Sequence, residues 1–135
     1  MTVERIDLNN KKIKPQTIAH HIARYDFACK IQKPKGKALD LACGTGYGTE
    51  ILRKAGYVTT GVEIDRKSVQ NAKRKFTKCT FIEQDLNSFR ATEYYDLVVI
   101  FEAIEHFPFA DGIALLSRIR LWIKLGGTFI LSTPK

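Results

Sequence analysis

The sequence has few cysteines and no long apolar run, and each of these features excludes classes of protein. Three of the 135 residues are cysteine, and Cys29, Cys43 and Cys79 are too far apart to form a C-x-x-C pair. Because an odd number of scattered cysteines suits neither a disulfide framework nor a zinc site, we expect reduced, partly buried thiols. No apolar segment approaches the roughly 18 residues of a membrane span.

Signal-like, repetitive and low-complexity segments are also missing. Residues 1 to 14 carry charges of both signs and no apolar core, so they do not resemble a secretory signal. This pattern favours a cytoplasmic protein. With 44% hydrophobic and 27% charged residues, the composition is that of a globular chain. We therefore expect residues 1–135 to form a single domain.

Acidic residues are scarce relative to basic ones, and the formal net charge is +8. Residues 66 to 78 hold six lysines and arginines and no acid. Val69, Ala72 and Phe76 fall on one helical face of this segment, so its charges can form a solvated helix surface. Contact with RNA or DNA is the alternative, and the sequence leaves both open.

Hydrophobic periodicity predicts a leading helix and then alternating strands and helices. Ile18, Ile22, Tyr25 and Cys29 have the spacing of one helical face, which predicts a helix over about residues 15–33. Strands are predicted at 37–42, 58–64, 80–84, 95–101 and 128–132, and helices at 47–55, 66–76 and 110–124. This alternation implies right-handed crossovers, and therefore an α/β, doubly wound parallel sheet with helices on both faces.

A glycine-rich segment follows the first predicted strand. Gly44, Gly46 and Gly48 stand where that strand turns into a helix, a corner that lets a ligand approach the main chain. The spacing lacks the third glycine of G-x-G-x-x-G, and no phosphate-loop lysine follows. The segment therefore predicts a nucleotide-like ligand without a pyrophosphate, and an empty tight turn is the alternative.

Acidic residues lie at or near the carboxyl ends of four predicted strands: Asp40, Glu63, Asp85 and Glu102. In a doubly wound sheet these ends form the ligand-binding rim. Glu63 stands 23 residues after Asp40, close to the offset of about 20 at which an acid accepts hydrogen bonds from ribose hydroxyls. Asp85 can accept from an exocyclic amine. The pattern predicts an adenosine-type ligand.

The motifs DLACGTGYG, GVEID, IEQDL, YDLVVIFEAIEH and LGGTFILSTP occur in this order. They resemble the ordered motifs of class I S-adenosylmethionine-dependent methyltransferases, and the upstream HIARYDFA resembles a leading helix of one branch of that family. The resemblance implies a three-layer, Rossmann-like sheet with strand order 3-2-1-4-5. It also implies S-adenosylmethionine as cofactor and S-adenosylhomocysteine as product.

By this resemblance, the methionine part of the cofactor is held by the main chain of Ala42, Cys43, Gly44, Thr45 and Gly46. Asp40 would lie near its amino group, and Tyr25 would close over the methionine end.

The same resemblance assigns the rest of the cofactor. Glu63 would bind the ribose hydroxyls while Ile64 packs on the adenine, and Asp85 with Leu86 would bind the adenine edge. Phe101 and Glu102 would lie beside the sulfonium.

Candidate catalytic residues follow the fourth strand. Glu105 and His106 are the best local candidates for a general base, and a histidine packed under neighbouring phenylalanines is the alternative interpretation of His106. His20 and His21 are expected to be surface or cap residues. Glu102, Glu105 and His106 resemble a metal-ligand set of some relatives, but such sites need further ligands, so we expect no metal.

Two strands that usually complete the family's sheet are absent after residue 132. The fifth strand would then leave an apolar edge open to pairing, which fits a fragment, a naturally short form or one half of a homodimer. The expected function is methyl transfer to an O or N atom of a small molecule, glycan or lipid precursor. The alternatives are an RNA or DNA methyltransferase and a catalytically silent cofactor-binding module.

Overall fold

The structure is a computed structural model that describes residues 14 to 134. The expectation for the N-terminal segment therefore lies almost entirely outside the described residues. That residues 1–135 form one domain stays a prediction.

A five-stranded parallel sheet with order β3-β2-β1-β4-β5 organises the chain, as predicted. The strands are β1 (Lys37–Leu41), β2 (Val58–Glu63), β3 (Thr80–Glu83), β4 (Tyr95–Phe101) and β5 (Ile123–Ser132). The α-helices are α1 (Pro15–Lys30), α2 (Tyr47–Ala55), α3 (Arg66–Lys75) and α4 (Phe109–Ile119). Short 3-10 turns cover Ile104–His106 and Arg120–Trp122.

Alternate residues of β4 face opposite sides of the sheet, and both sides are covered. Val98 and Ile100 pack in a cluster with Leu115 and Ile119 of α4. Leu97, Val99 and Phe101 pack in another, with residues of α1 and α2. A third cluster joins α3 to the sheet through Val69, Ala72 and Phe81. The predicted helical layers on both faces are confirmed.

The centre of the sheet is the place where the chain reverses its direction of winding. From β1 the chain runs to β2 and β3 on one side, and β4 and β5 lie on the other. The carboxyl ends of β1 and β4 are thus neighbours at the switch point, where doubly wound sheets bind their ligands. This arrangement places the segments after Leu41 and Phe101 side by side.

The predicted helix over 110–124 is wrong at its carboxyl end. The α-helix stops at Ile119, a 3-10 turn follows, and β5 begins at Ile123. Trp122 packs edge-on against Phe89, with ring centroids 5.4 Å apart, and this contact holds the tight turn against the core. Tertiary packing therefore ends the helix earlier than periodicity indicates.

The pair Gly126-Gly127 lies within β5 rather than at the end of the preceding helix. The pairing of β4 with β5 shifts there, from Tyr95 opposite Ile123 to Leu97 opposite Thr128. Gly126 has φ +83°, and a Cβ on Gly127 would lie 2.8 Å from Ile123 and 2.9 Å from the carbonyl oxygen of Lys124. The glycines therefore permit a bulge that lengthens the fifth strand.

Within residues 14 to 134, β5 is an edge of the sheet and pairs with β4 alone. Leu131 on this strand is 42% exposed. Pairing of this edge with a second copy of the chain stays a prediction. No helix in the described part of the chain is long and apolar enough to cross a membrane, and a cytoplasmic location stays an expectation.

Candidate functional site

Two non-glycine residues with left-handed backbone lie at the switch point. Among the described non-glycine residues, only Ala42 (φ +58°) and Glu102 (φ +52°) have positive φ, and they directly follow β1 and β4. Gly44 and Gly46 are also left-handed. Because strained residues of this kind cluster at functional sites, the backbone itself marks this rim. We call residues 40–49 together with Glu63 the glycine-loop side.

Asp40 is the buried centre of the glycine-loop side. Its carboxylate is 1% exposed and accepts hydrogen bonds from Tyr25 Oη (3.1 Å) and Thr49 Oγ1 (2.8 Å). Burial raises the pKa of Asp40 to about 7, although both hydrogen bonds oppose the shift. The carboxylate thus joins α1 and α2 to β1, and its expected contact with a cofactor amine stays a prediction.

Glu63 ties the glycine loop to the end of β2. Its Oε1 accepts from the amide of Gly44 at 3.0 Å, and its Oε2 accepts from the amide of Asp65 at 2.8 Å. The side chain is 2% exposed. Both carboxylate oxygens therefore face main-chain amides beside the end of β2, and the expected contact with ribose hydroxyls stays a prediction.

The three residues predicted to surround adenine are placed differently from one another. Ile64 is 48% exposed at the rim, in keeping with an apolar surface for a ring. Asp85 is exposed and accepts from the amide of Asn87 at 2.9 Å. Leu86 is 6% exposed and lies in the core cluster under α4. The Leu86 side chain is therefore packed away from the rim, and its main-chain oxygen accepts a hydrogen bond from Arg118 at 2.8 Å.

Tyr25 of α1 packs over the glycine loop. Its ring meets Phe101 and Tyr47 edge-on, with centroids 4.9 Å and 5.8 Å away. Burial is the main cause that raises its pKa well above the usual value. A Cβ on Gly48 would lie 2.0 Å from this ring. The third glycine of the loop thus makes room for Tyr25.

A cleft of about 590 Å³ opens between α1 and the 3-10 turn after β4. It contains all three histidines of the chain, so we call it the histidine cleft. Its lining residues are Thr17, His20, His21, Arg24, Glu102, Glu105, His106 and Pro134. The predicted candidates Glu105 and His106 are therefore brought together with Glu102, one of the residues predicted to lie beside the cofactor.

Side chains of the histidine cleft lie in two close pairs. Arg24 donates a hydrogen bond to Glu102, whose side chain is 9% exposed, and the two form an ion pair. His106 Nε2 lies 3.8 Å from Glu105 Oε2. Among residues 14 to 134, no group of three or more His, Cys, Asp or Glu side chains is arranged to hold a metal ion.

Thr49 and the polar side of α1 were not predicted from the sequence. Thr49 is fully buried beside Asp40, and no local pattern distinguishes it from an ordinary helix residue. Thr17, His20, His21 and Arg24 follow the spacing of one helical face and line the cleft. That spacing is the sequence signal that could have identified them. His20 and His21 were expected to be surface or cap residues, and in the structure both line the cleft.

Residues 38–127 match a protein family described as "Methyltransferase domain". The ubiquinone biosynthesis O-methyltransferase of Vibrio vulnificus (strain YJ016) is 30% identical over 103 residues, which cover 72% of this chain and 43% of that protein. The chain thus spans less than half the length of this relative.

Solved structures of known proteins agree in fold. The PH0226 protein from Pyrococcus horikoshii OT3 superposes with a TM-score of 0.79 at 25% identity, covering 90% of this chain and 56% of that one. The glycopeptide N-methyltransferase MtfA complexed with S-adenosylmethionine gives a TM-score of 0.71 at 25% identity, covering 82% and 52%. With the family match over more than half its length, the chain belongs to the class I S-adenosylmethionine-dependent methyltransferases.

Proposed function

We propose that this chain binds S-adenosylmethionine on the glycine-loop side and transfers the methyl group to an O or N atom of a small molecule in the histidine cleft. The observation that carries the proposal is the position of Glu102. This residue follows β4 at the switch point, with left-handed backbone, and it also lines the cleft. Cofactor and acceptor would therefore meet beside it.

The residues present fit the cofactor. The left-handed backbone at Ala42, Gly44 and Gly46 turns the main chain away from its usual path at the end of β1, and the two glycines let a ligand approach it without meeting a Cβ. Ile64 offers an exposed apolar surface for adenine, and Glu63 at the end of β2 supplies a carboxylate, the group that would accept hydrogen bonds from ribose hydroxyls. Asp85 is exposed at the same rim.

When bound, the cofactor supplies an activated methyl group on a sulfonium, which is displaced in line. The residues of this chain then have to orient the acceptor and take up its proton. His106 and Glu105 line the cleft with partly exposed side chains. We assign His106 as the general base and Glu105 as the carboxylate that stabilises the imidazolium formed.

Two observations support a small polar acceptor with a hydroxyl or amine. The cleft is lined mainly by histidine, glutamate, arginine and threonine side chains, which suit a polar molecule. Its volume of about 590 Å³ is that of an ordinary small-molecule site. One relative is named an O-methyltransferase and one structural neighbour an N-methyltransferase, so both acceptor atoms are kept in the proposal.

Titration calorimetry with S-adenosylmethionine and S-adenosylhomocysteine tests cofactor binding. We expect saturable binding of both, and no heat at millimolar ligand would refute the cofactor site. Turnover is then measured as release of S-adenosylhomocysteine with panels of phenols, sugars, carboxylic acids and amines. Tight binding without turnover in every panel would favour the silent cofactor-binding module instead.

The variant His106→Gln tests the catalytic assignment. We expect kcat to fall by about 100-fold or more, as for loss of a general base, while cofactor affinity stays the same. His20→Gln is the matched control, since this exposed histidine lines the same cleft from α1. Equal losses in both variants, or unchanged turnover in His106→Gln, would contradict the assignment.

A further inference from the structure

The exposed surface of α3 carries an uncompensated positive charge. Arg66, Lys67, Lys73, Arg74, Lys75 and Lys78 are all exposed and form what we call the α3 basic surface. Within residues 14 to 134 none of them makes an ion pair. The other contacts found for them are the hydrogen bond from Arg74 to Asn71 and the position of Lys75 over the Phe76 ring.

Helix stability accounts for only part of this charge, because Lys73, Arg74 and Lys75 stand in the last turn of α3, where the helix dipole favours cations. Solvated helices commonly place acids four residues from their bases, as the Glu50–Arg53 pair does at the similar spacing of three on α2. Residues 66 to 78 contain no acid. Arg66 and Lys67 also stand in the first turn of α3, where the helix dipole disfavours cations. The pattern therefore points to an anionic partner.

The composition of the surface distinguishes among anionic partners. The apolar side chains of α3, Val69 and Ala72, are buried, so the helix has no exposed apolar residues to insert into a lipid bilayer. Four of the six cations are lysines, and lysine is depleted from protein–protein interfaces. Lysines and arginines without exposed aromatic rings are suited to phosphate groups in a duplex rather than to stacked single-stranded bases.

We propose that the α3 basic surface binds the phosphate backbone of a nucleic-acid duplex without reading its sequence. The helix of ten residues is about 15 Å long, enough to reach several phosphates. No base-reading side chain is required, because backbone contacts supply affinity and not sequence preference. This inference does not rest on the proposed function, since binding here needs neither cofactor nor turnover.

Fluorescence anisotropy with labelled RNA and DNA duplexes of about 20 base pairs tests the proposal. We expect measurable binding at about 50 mM salt and a loss of about 100-fold at about 200 mM for roughly four phosphate contacts. Lys67→Glu with Lys73→Glu should weaken binding at least 10-fold. Lys33→Glu with Lys35→Glu is the control, because it changes the net charge equally at two exposed lysines elsewhere.

The two pairs of substitutions distinguish binding by the α3 basic surface from a general effect of net charge. A small effect of the control pair beside the large effect of the α3 pair supports the proposal. Equal losses in both pairs would show that net charge alone is responsible and would overturn it. Absence of duplex binding at low salt would overturn it too, as would binding only to vesicles of anionic phospholipid. Circular dichroism and thermal unfolding of each variant show whether the fold is intact, independently of cofactor binding.

Discussion

The glycine-loop side and the histidine cleft lie next to each other but are built differently. On the glycine-loop side, the acids Asp40 and Glu63 are almost fully buried and accept hydrogen bonds from neighbouring main-chain or side-chain groups. In the histidine cleft, Glu105 and His106 keep about a quarter and a third of their side-chain surface exposed. The acids of one region are fixed by buried hydrogen bonds, and the catalytic candidates of the other are partly exposed to solvent.

This contrast shows how one fold serves a constant and a variable ligand. A cofactor shared by a whole family is best met by groups that need no rearrangement, since preorganised contacts lose little entropy on binding. The acceptor differs between members of the family. The long side chains on α1 and on the turn after β4, which line the cleft, are therefore the ones that we expect to differ between members. Substitutions on the two sides should therefore affect different measurements.

The largest expected contrast is in the pH dependence of stability. Burial raises the pKa of Asp40 from the ordinary 3.8 to about 7, so the folded protein holds one more proton than the unfolded chain between these values. The free energy of unfolding should then fall as pH rises through this window, by up to about 1.4 kcal/mol per pH unit, and level off above it.

Asp40→Asn should remove this slope, because an amide keeps the shape without titrating. Urea unfolding from pH 5 to 8 measures it, and the variant should become more stable than the wild type towards pH 8. Glu105→Gln is the control from the histidine cleft and should follow the wild-type curve. If all three curves are parallel, Asp40 is not the buried titrating group.

The next contrast is in cofactor affinity. Glu63→Ala should weaken S-adenosylmethionine binding by roughly 1.5 to 3 kcal/mol, the range for hydrogen bonds to a charged group. Calorimetry gives the value. Glu83→Ala is the matched control, because Glu83 stands opposite Glu63 on the neighbouring strand with its side chain exposed. The assignment is refuted if Glu63→Ala binds as tightly as that control.

A third contrast concerns packing. Gly48→Ala places a methyl group 2.0 Å from the Tyr25 ring, and we expect a loss of about 1 to 3 kcal/mol of unfolding free energy from overpacking. Gly112→Ala is the control, because Gly112 lies within α4 and its Cβ would make ordinary contacts of 3.7 Å or more with Ile104 and Phe107. This control should gain about 0.5 to 1 kcal/mol, as alanine favours helix. Equal effects would mean that Tyr25 is free to move aside.

The smallest expected effect is the change in stability on replacing either of the two left-handed non-glycine residues, Ala42 and Glu102, by glycine. Ala42→Gly should relieve a strain of about 1 to 2 kcal/mol but loses about 0.4 to 1 kcal/mol through the more flexible unfolded chain, so a small net gain is expected. Glu102→Gly removes similar strain together with the ion pair to Arg24, and should lose stability. Thermal unfolding compares both, and a gain in each would show that the ion pair contributes little.

Much of the rim could be predicted because it depends on order along the chain. The acids at strand ends and the glycines after β1 are local patterns, and a parallel sheet brings the carboxyl ends of its strands to one edge. The end of α4 and the bulge at Gly126 could not be predicted in this way. Each depends on contacts between residues that are far apart in the sequence. Trp122 contacts Phe89 at the end of α4, and β5 pairs with β4 at the bulge.

The alternation of strands and helices and the glycine loop could be inferred from the amino-acid sequence, because they follow from residue types at short spacings, and the strand order and the family followed from the resemblance that these motifs carry. The enclosure of Asp40 by Tyr25 and Thr49, the pairing of Arg24 with Glu102 across 78 residues of chain, and the gathering of three histidines in one cleft emerge only in the folded chain. These contacts depend on how α1 lies on the sheet, and no local period in the chain encodes that position.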